Sequence, residues 1–441
     1  MKYLGIFGFG AVLLALGAAI LVDKHLSADG VNYFTIVLET HDFFRGDWWR
    51  QLANYLSQAP LVVAVNAGVK NMSALSLVFG ASILFPWLLA LGLSLFALRD
   101  EDKSVLIFMM VSMVSINLGS DFILTGEHQV MVLLTWPILF YHLRISQLRW
   151  YDALILWSLL LLFSRLYPTA VIPAALFLLI AVVRIVRSSP YKQKVVFLGA
   201  SLLSSIVIAA GTYTILYPRA VENKQAFLES ILRPFGTSVA LTAMAFAVLL
   251  SAGWFWRKRF LVWLSLLPVV GFLAHIVLTR DFLSSGESFE YRTLTLTLLP
   301  VLMLGAVAIH CRRRTLDNRI ALVVGAFIAV MITGNLYGTW QWSQFKSQMT
   351  EILIARDGLV PIESTDLNGS LLGWPWNNAQ LSVVWSQGCV RSILLNADGA
   401  AWQPAGPPQT FRLKEYLCYT AEFQQYDPTL CLCEPQSSPG D

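Results

Sequence analysis

Long apolar stretches separated by short polar segments follow one another along the chain up to about residue 340. A helix needs about 20 predominantly apolar residues to cross a bilayer. The pattern predicts eleven spans, at residues 4–22, 73–98, 105–118, 130–141, 153–163, 169–183, 195–217, 238–256, 260–279, 293–310 and 320–340. The fourth to sixth are short for a full crossing, so we expect them to be tilted, or broken around a cavity that tolerates irregular backbone.

The composition agrees with this pattern of apolar spans. The chain is 56% hydrophobic and 13% charged, whereas soluble domains are about 45–50% apolar and about 25% charged. This predicts an all-α polytopic membrane protein. The net charge of +4 is divided among short loops, so nucleic-acid binding is not predicted. The first apolar run, after Lys2, is longer than the core of a signal peptide, and we interpret it as a retained span.

Charge in the loops predicts the orientation. If the N-terminus is cytoplasmic, fifteen Lys and Arg residues lie in five short cytoplasmic loops, at residues 99–103, 142–152, 184–194, 257–259 and 311–319. This agrees with the positive-inside rule. The same orientation places the C-terminal tail outside, where an oxidising compartment would suit disulfides among its four cysteines, in any of three pairings. These are Cys389, Cys418, Cys431 and Cys433. We therefore predict a transmembrane domain at residues 1–340 and a small β-rich or α+β periplasmic domain at 341–441.

The first long outer loop, residues 23–71, holds the densest group of acids, cations and tryptophans. Glu39, Asp42 and Asp47 are its candidate catalytic acids. Partial desolvation at the membrane surface is expected to raise a carboxylate pKa toward the range of a general base, and Asp42 has the best setting because aromatic residues flank it. Asp47 also suits the N-cap of a helix that begins there. Solvated loop charge and an interfacial amphipathic helix are the structural alternatives.

Other polar residues predicted outside are candidates for substrate binding. Arginine suits phosphate recognition, although a snorkelling interfacial arginine is the alternative. Tryptophan settles at the membrane interface. The candidates are Arg45, Arg50, Trp48, Trp49, Glu127, His128, Arg165 and Arg292. The histidines form no spaced metal set and no Gly-rich phosphate loop occurs, so neither a metal nor a cofactor is predicted.

The segments His41-Asp42-Phe43-Phe44-Arg45, Trp49-Arg50 and Tyr291-Arg292-Thr293-Leu294, with this architecture, resemble the GT-C class of membrane glycosyltransferases. Within that class the chain looks most like the serotype-converting glucosyltransferases that modify O-antigen in lipopolysaccharide. The resemblance implies a polyprenyl-phosphate sugar donor, a glycan acceptor, and an active site facing the periplasm at the bacterial inner membrane. It further implies inverting transfer, with Asp42 as the preferred base and with arginines neutralising the leaving phosphate.

Three other functions remain open. An O-antigen ligase or polymerase would also use lipid-linked sugars, but its large loop usually falls late between spans. A transporter of lipid-linked glycans would show internal symmetry and polar residues at mid-depth, and neither is prominent here. A structural or assembly protein with a periplasmic cap would need no chemistry in the first loop.

Overall fold

The structure, a computed structural model, describes most of the chain as far as residue 356 and short pieces beyond it. The described residues are 2–27, 29–45, 50–118, 126–144, 148–187, 190–217, 238–279, 290–312, 317–356, 358–361, 364–365, 367, 378–386 and 392–395. The predicted tail cysteines Cys389, Cys418, Cys431 and Cys433 lie outside these residues.

The described chain is almost entirely helical. Its α-helices are α1 (Lys2–Leu21), α2 (Asp29–Thr40), α3 (Gln51–Asn66), α4 (Met72–Ala97), α5 (Leu106–Ser112), α6 (Glu127–Leu143), α7 (Trp150–Phe163), α8 (Val171–Arg187), α9 (Tyr191–Leu216), α10 (Ser238–Trp256), α11 (Arg259–Leu264), α12 (Leu266–Thr279), α13 (Glu290–Cys311), α14 (Asn318–Ala355) and α15 (Asn378–Trp385). Short turns of 3-10 helix cover Lys24–Leu26, Lys103–Val105 and Pro168–Ala170, and a π-helical turn covers Met113–Asn117. Strands β1 (Gly358–Pro361) and β2 (Ser392–Leu395) pair in parallel, with Gly358 opposite Ser392.

Five helical segments in the described chain are long and apolar enough to cross a membrane. They are Met72–Ala97, Pro168–Arg187, Tyr191–Leu216, Leu294–Cys311 and Asn318–Ala355. Their outward faces carry exposed apolar side chains such as Leu88, Leu179 and Leu202, which suits contact with lipid. The prediction of a helical membrane protein is thereby confirmed; the number of eleven spans and the orientation stay predictions.

Helix α6 lies at the centre of the bundle. Every residue of Glu127–Leu143 is buried, and the helix packs against α4, α7, α8 and α13. A helix surrounded by protein can carry polar side chains, because neighbouring helices supply hydrogen-bond partners that lipid would not. This is why α6 holds Glu127, His128 and His142 within the bundle.

The predicted first outer loop, residues 23–71, is largely helical. It contains α2 and α3, which pack with the second half of α14 and with α15 in an apolar cluster that includes Phe34, Phe79 and Trp342. Helix α14 is 38 residues long and continues to Ala355, so residues 341–355 extend the predicted last span. These elements form a layer over one end of the bundle.

A polar joint ties the end of α1 to α4 and α14. Lys346 Nζ lies 2.6 Å from one carboxylate oxygen of Asp23, and Ser76 Oγ donates to the other at 2.5 Å. Because the Ser76 proton points to Asp23, Ser76 Oγ accepts from His25 Nε2 at 3.1 Å. Burial lowers the pKa of His25 to about 4, and burial also holds the pKa of Lys24 well below its ordinary value.

At the opposite end of α6, a buried carboxylate joins two predicted inner loops. Both Asp152 oxygens accept from Arg99 at 2.9 Å, and Arg144 Nη1 donates to Asp152 at 3.1 Å. The Arg149 backbone N–H completes the set at 2.9 Å and begins α7 with a capping interaction. Asp152 is therefore a clamp that holds the α4–α5 and α6–α7 connections together.

Candidate functional site

Glu127 and His128 begin α6, at the end of the bundle covered by α2 and α3. Both side chains are buried. The hydroxyl of Tyr33, on α2, donates to Glu127 Oε1 at 2.9 Å, and Tyr33 is only 4% exposed. Burial and the neighbouring Glu127 carboxylate raise the pKa of Tyr33 well above its ordinary value, so the phenol remains a proton donor in this hydrogen bond.

His128 links α6 to two further elements. Its Nε2 is hydrogen-bonded to Thr295 Oγ1 on α13. Its ring meets the ring of Tyr167 edge-on, with 5.7 Å between centroids. Arg50, the residue just before α3, contacts the same tyrosine: its guanidinium lies over the Tyr167 ring, 5.1 Å from the centroid. The Arg50 cation and the His128 imidazole therefore both contact the ring of Tyr167.

A second arginine joins the same region. Arg165 Nη2 donates to Gln51 Oε1 at 3.1 Å, and Gln51 directly follows Arg50. The structure thus brings together four of the predicted substrate-binding residues, from the N-cap of α3, from α6 and from the α7–α8 connection. We call the whole set the α6 polar cluster, which consists of Tyr33, Arg50, Glu127, His128, Arg165, Tyr167 and Thr295.

Asp42, the preferred catalytic acid, has a different environment from the one expected. Its side chain is 47% exposed and pairs with Arg45 at 2.6 Å. One carboxylate oxygen also accepts from the Phe43 backbone N–H at 2.8 Å. The Phe43 and Arg45 hydrogen bonds lower the pKa of Asp42, so the expected rise of this pKa is wrong. The physical reason is that hydrogen bonds to the ionised form outweigh the small desolvation of a half-exposed carboxylate.

The Asp42 segment nevertheless contacts the α6 polar cluster. The ring of Phe44 stacks on Tyr33 with centroids 5.0 Å apart, and the Phe44 N–H donates to Gln58 Oε1 at 2.9 Å. Phe43 meets Tyr55 edge-on at 4.7 Å. A continuous path of contacts therefore runs from the segment after α2, through Tyr33, to Glu127.

The remaining candidate residues are not members of the α6 polar cluster. Glu39 is partly buried near the end of α2. Arg45 is exposed beside Asp42, and Arg292 lies on α13 three residues before Thr295. Asp47, Trp48 and Trp49 lie outside the described residues. Among the residues that the structure describes, no group of three or more His, Cys, Asp or Glu is arranged to hold a metal ion.

Three members of the cluster could not be chosen from the sequence. Tyr33 is separated from Glu127 by 94 residues, and Thr295 from His128 by 167. Tyr167 offered one local signal, because it follows Arg165 closely in a polar break between two apolar runs. Tyr33 offered none, since a tyrosine on the apolar face of a short helix is ordinarily part of a core.

The chain matches no family model, no curated protein and no solved structure.

Proposed function

We propose that the protein is a membrane glycosyltransferase. It would move a hexose from a polyprenyl-phosphate donor to a cell-surface glycan or lipid acceptor, on the periplasmic face of a bacterial inner membrane. The observation that carries this proposal is the α6 polar cluster in a helical membrane protein. In it the buried carboxylate of Glu127 is held by Tyr33, the next residue, His128, contacts Tyr167, and Arg50 lies over the same Tyr167 ring. Arg165 contacts Gln51, the residue after Arg50. The proposal includes the eleven-span topology and the periplasmic C-terminal domain.

The reaction needs one base and a stabilised leaving group. A carboxylate takes the proton of the acceptor hydroxyl, and the acceptor oxygen forms a bond to the anomeric carbon. The bond from that carbon to the phosphate oxygen breaks, the lipid phosphate leaves with the bonding electrons, and the configuration inverts. Arginine side chains at the leaving group stabilise its charge through charge-assisted hydrogen bonds.

Glu127 is our preferred base. It is buried and fixed by the Tyr33 hydroxyl, whereas the lowered pKa of Asp42 makes that carboxylate a weaker proton acceptor. Glu39 and Asp47 remain alternative bases under the same mechanism. Arg50 and Arg165, with Arg45 and Arg292 as further candidates, would bind phosphate. His128 would bind the substrate, and Trp48 and Trp49 would stack on the sugar.

The test is transfer of labelled sugar in proteoliposomes. Purified protein is supplied with a panel of synthetic polyprenyl-phosphate hexoses and with membrane glycan as acceptor. The proposal expects release of polyprenyl phosphate together with a product of inverted anomeric configuration. Transfer of a preassembled oligosaccharide would instead indicate a ligase or polymerase. Movement of intact lipid-linked glycan across the bilayer, with no bond made, would indicate a transporter.

Tyr33→Phe provides a second test at the same site. The substitution removes one hydroxyl and leaves a ring that can still stack on Phe44. A hydrogen bond to a charged group contributes about 1.5–3 kcal/mol, so we expect transfer to fall by roughly tenfold or more, chiefly in kcat. An unchanged rate would mean that the Tyr33–Glu127 hydrogen bond plays no part in the reaction.

A further inference from the structure

The connection between α10 and α11 presents an unusual run of side chains. Arg257, Lys258 and Arg259 follow one another and are all exposed. Trp256 before them and Phe260 after them are 61% and 72% exposed. Three cations therefore stand between two large aromatic residues at the C-terminal end of α10.

The turn that carries these cations is tightly fixed. Arg257 adopts a left-handed backbone conformation with φ of 56°. The Arg257 N–H donates to Trp254 O at 3.3 Å, and the Lys258 N–H donates to Gly253 O at 2.9 Å. This is the Schellman pattern at a helix C-terminus, in which glycine usually takes the left-handed position because a Cβ is unfavourable there. An arginine at this position has a steric cost that a glycine would not have.

A fourth cation comes from a different part of the chain. Arg312, just after α13, places its guanidinium 4.5 Å from the centroid of the Phe255 ring. Arg312 is also exposed. The fold thus brings cations from two segments to one end of α10.

Unlike these four cations, two arginines of other predicted inner loops are paired with a carboxylate. Arg99 and Arg144 are paired with the buried Asp152 carboxylate. In the part of the chain that the structure describes, no carboxylate lies within ion-pair distance of Arg257, Lys258, Arg259 or Arg312. No described carboxylate therefore compensates the positive charge at this place.

We propose that this surface binds the headgroup of an anionic phospholipid. We call it the basic tip, and it consists of Trp256, Arg257, Lys258, Arg259, Phe260 and Arg312. Guanidinium and ammonium groups donate charge-assisted hydrogen bonds to phosphate oxygens, and the exposed aromatic rings suit the level of the glycerol backbone. Basic surfaces between membrane helices bind anionic headgroups in this way. The positive-inside rule explains cations in this loop, but not an arginine in the left-handed position or the aromatic residues on both sides.

The experiment is a lipid titration of the detergent-solubilised full chain, followed by native mass spectrometry. Phosphatidylglycerol is the probe and phosphatidylcholine the uncharged comparison. A cation near an anionic surface contributes roughly fivefold in affinity, the equivalent of about 1 kcal/mol. The triple variant Arg257→Gln/Lys258→Gln/Arg259→Gln should therefore bind phosphatidylglycerol on the order of 100-fold more weakly, with phosphatidylcholine binding unchanged.

The matched control removes the same charge elsewhere on that end of the helices. Arg187, Lys192 and Lys194 are exposed around the α8–α9 connection, and the triple Gln variant of these residues should keep the preference for phosphatidylglycerol. Equal losses in both triple variants, or equal binding of the two lipids by the wild type, would overturn the proposal.

A single substitution distinguishes a lipid-binding role of Arg257 from a purely structural role of the turn. Arg257→Gly relieves the left-handed backbone and should raise the melting temperature, while it weakens phosphatidylglycerol binding by roughly fivefold. Weaker binding in a more stable protein would exclude misfolding as the cause. A more stable protein with unchanged phosphatidylglycerol affinity would show that Arg257 does not contact the lipid.

Discussion

Acidification should destabilise the protein through His25, at the joint between α1, α4 and α14. His25 is fully buried, and its Nε2 donates to Ser76 Oγ. Burial is the main cause that lowers its pKa to about 4; Asp23 raises the pKa in part, and Lys346 lowers it. The imidazole is therefore neutral in the folded protein at any pH well above 4.

The size and sign of the effect follow from proton linkage. In the unfolded chain a histidine has a pKa of about 6.5, so between pH 4 and 6.5 the unfolded state binds a proton that the folded state does not. The free energy of unfolding therefore rises with pH across this window. The contribution of His25 is complete above about pH 6.5 and is lost as the pH falls to about 4. With about 1.4 kcal/mol for each tenfold difference in proton affinity, the total is about 3 kcal/mol.

The assay is reversible unfolding in detergent from pH 4 to 8, with the wild type and His25→Gln compared at each pH. Glutamine can still donate to Ser76 but does not titrate, so the difference between the two proteins cancels the contributions of the carboxylates. The stability advantage of the wild type should shrink by about 3 kcal/mol as the pH falls from 7 to 4. A constant difference, or an advantage that grows on acidification, would refute the reasoning.

Two substitutions test how the bundle is held together. Asp152→Asn removes a charged acceptor from both Arg99 and the buried Arg144, which keeps Asp100 as a paired carboxylate. It should lower the free energy of unfolding by about 3 kcal/mol in denaturant titration, because it breaks a buried ion pair; a loss below about 1 kcal/mol would mean that the clamp is not structural. Gly211→Ala would place a Cβ 2.8 Å from the Pro168 carbonyl oxygen and should cost about 1–3 kcal/mol in the same titration. Gly92→Ala meets no atom within 4 Å and is the matched control; equal effects of the two alanines would contradict the close packing of α9.

The apolar pattern predicted the helices well where lipid or a uniform core surrounds them. Helix α10 has the bounds predicted for the eighth span, residues 238–256. Helix α6 begins at Glu127, three residues before the predicted span, because Glu127, His128 and Gln129 are polar yet buried within the bundle. Hydropathy cannot extend a helix through polar residues whose partners come from distant segments.

The candidate site could be predicted in its residue types but not in its geometry. Arg50, Glu127, His128 and Arg165 were chosen as polar residues on one side of the membrane, and the fold brings them together. The choice of Asp42 rested on aromatic neighbours in sequence, which gave no sign that a backbone N–H and Arg45 would stabilise the ionised form. Nor could spacing show that Tyr33 reaches Glu127, because that contact depends on how α2 packs over the bundle.

The most direct test compares sugar transfer by Glu127→Gln and Asp42→Asn at matched expression, with labelled polyprenyl-phosphate hexose as donor. A general base contributes typically about 10²–10⁴-fold to the rate. We therefore expect Glu127→Gln to lose transfer by about this factor, while Asp42→Asn keeps most of its activity. Full activity in Glu127→Gln, with loss in Asp42→Asn, would contradict the assignment and move the base to the segment after α2.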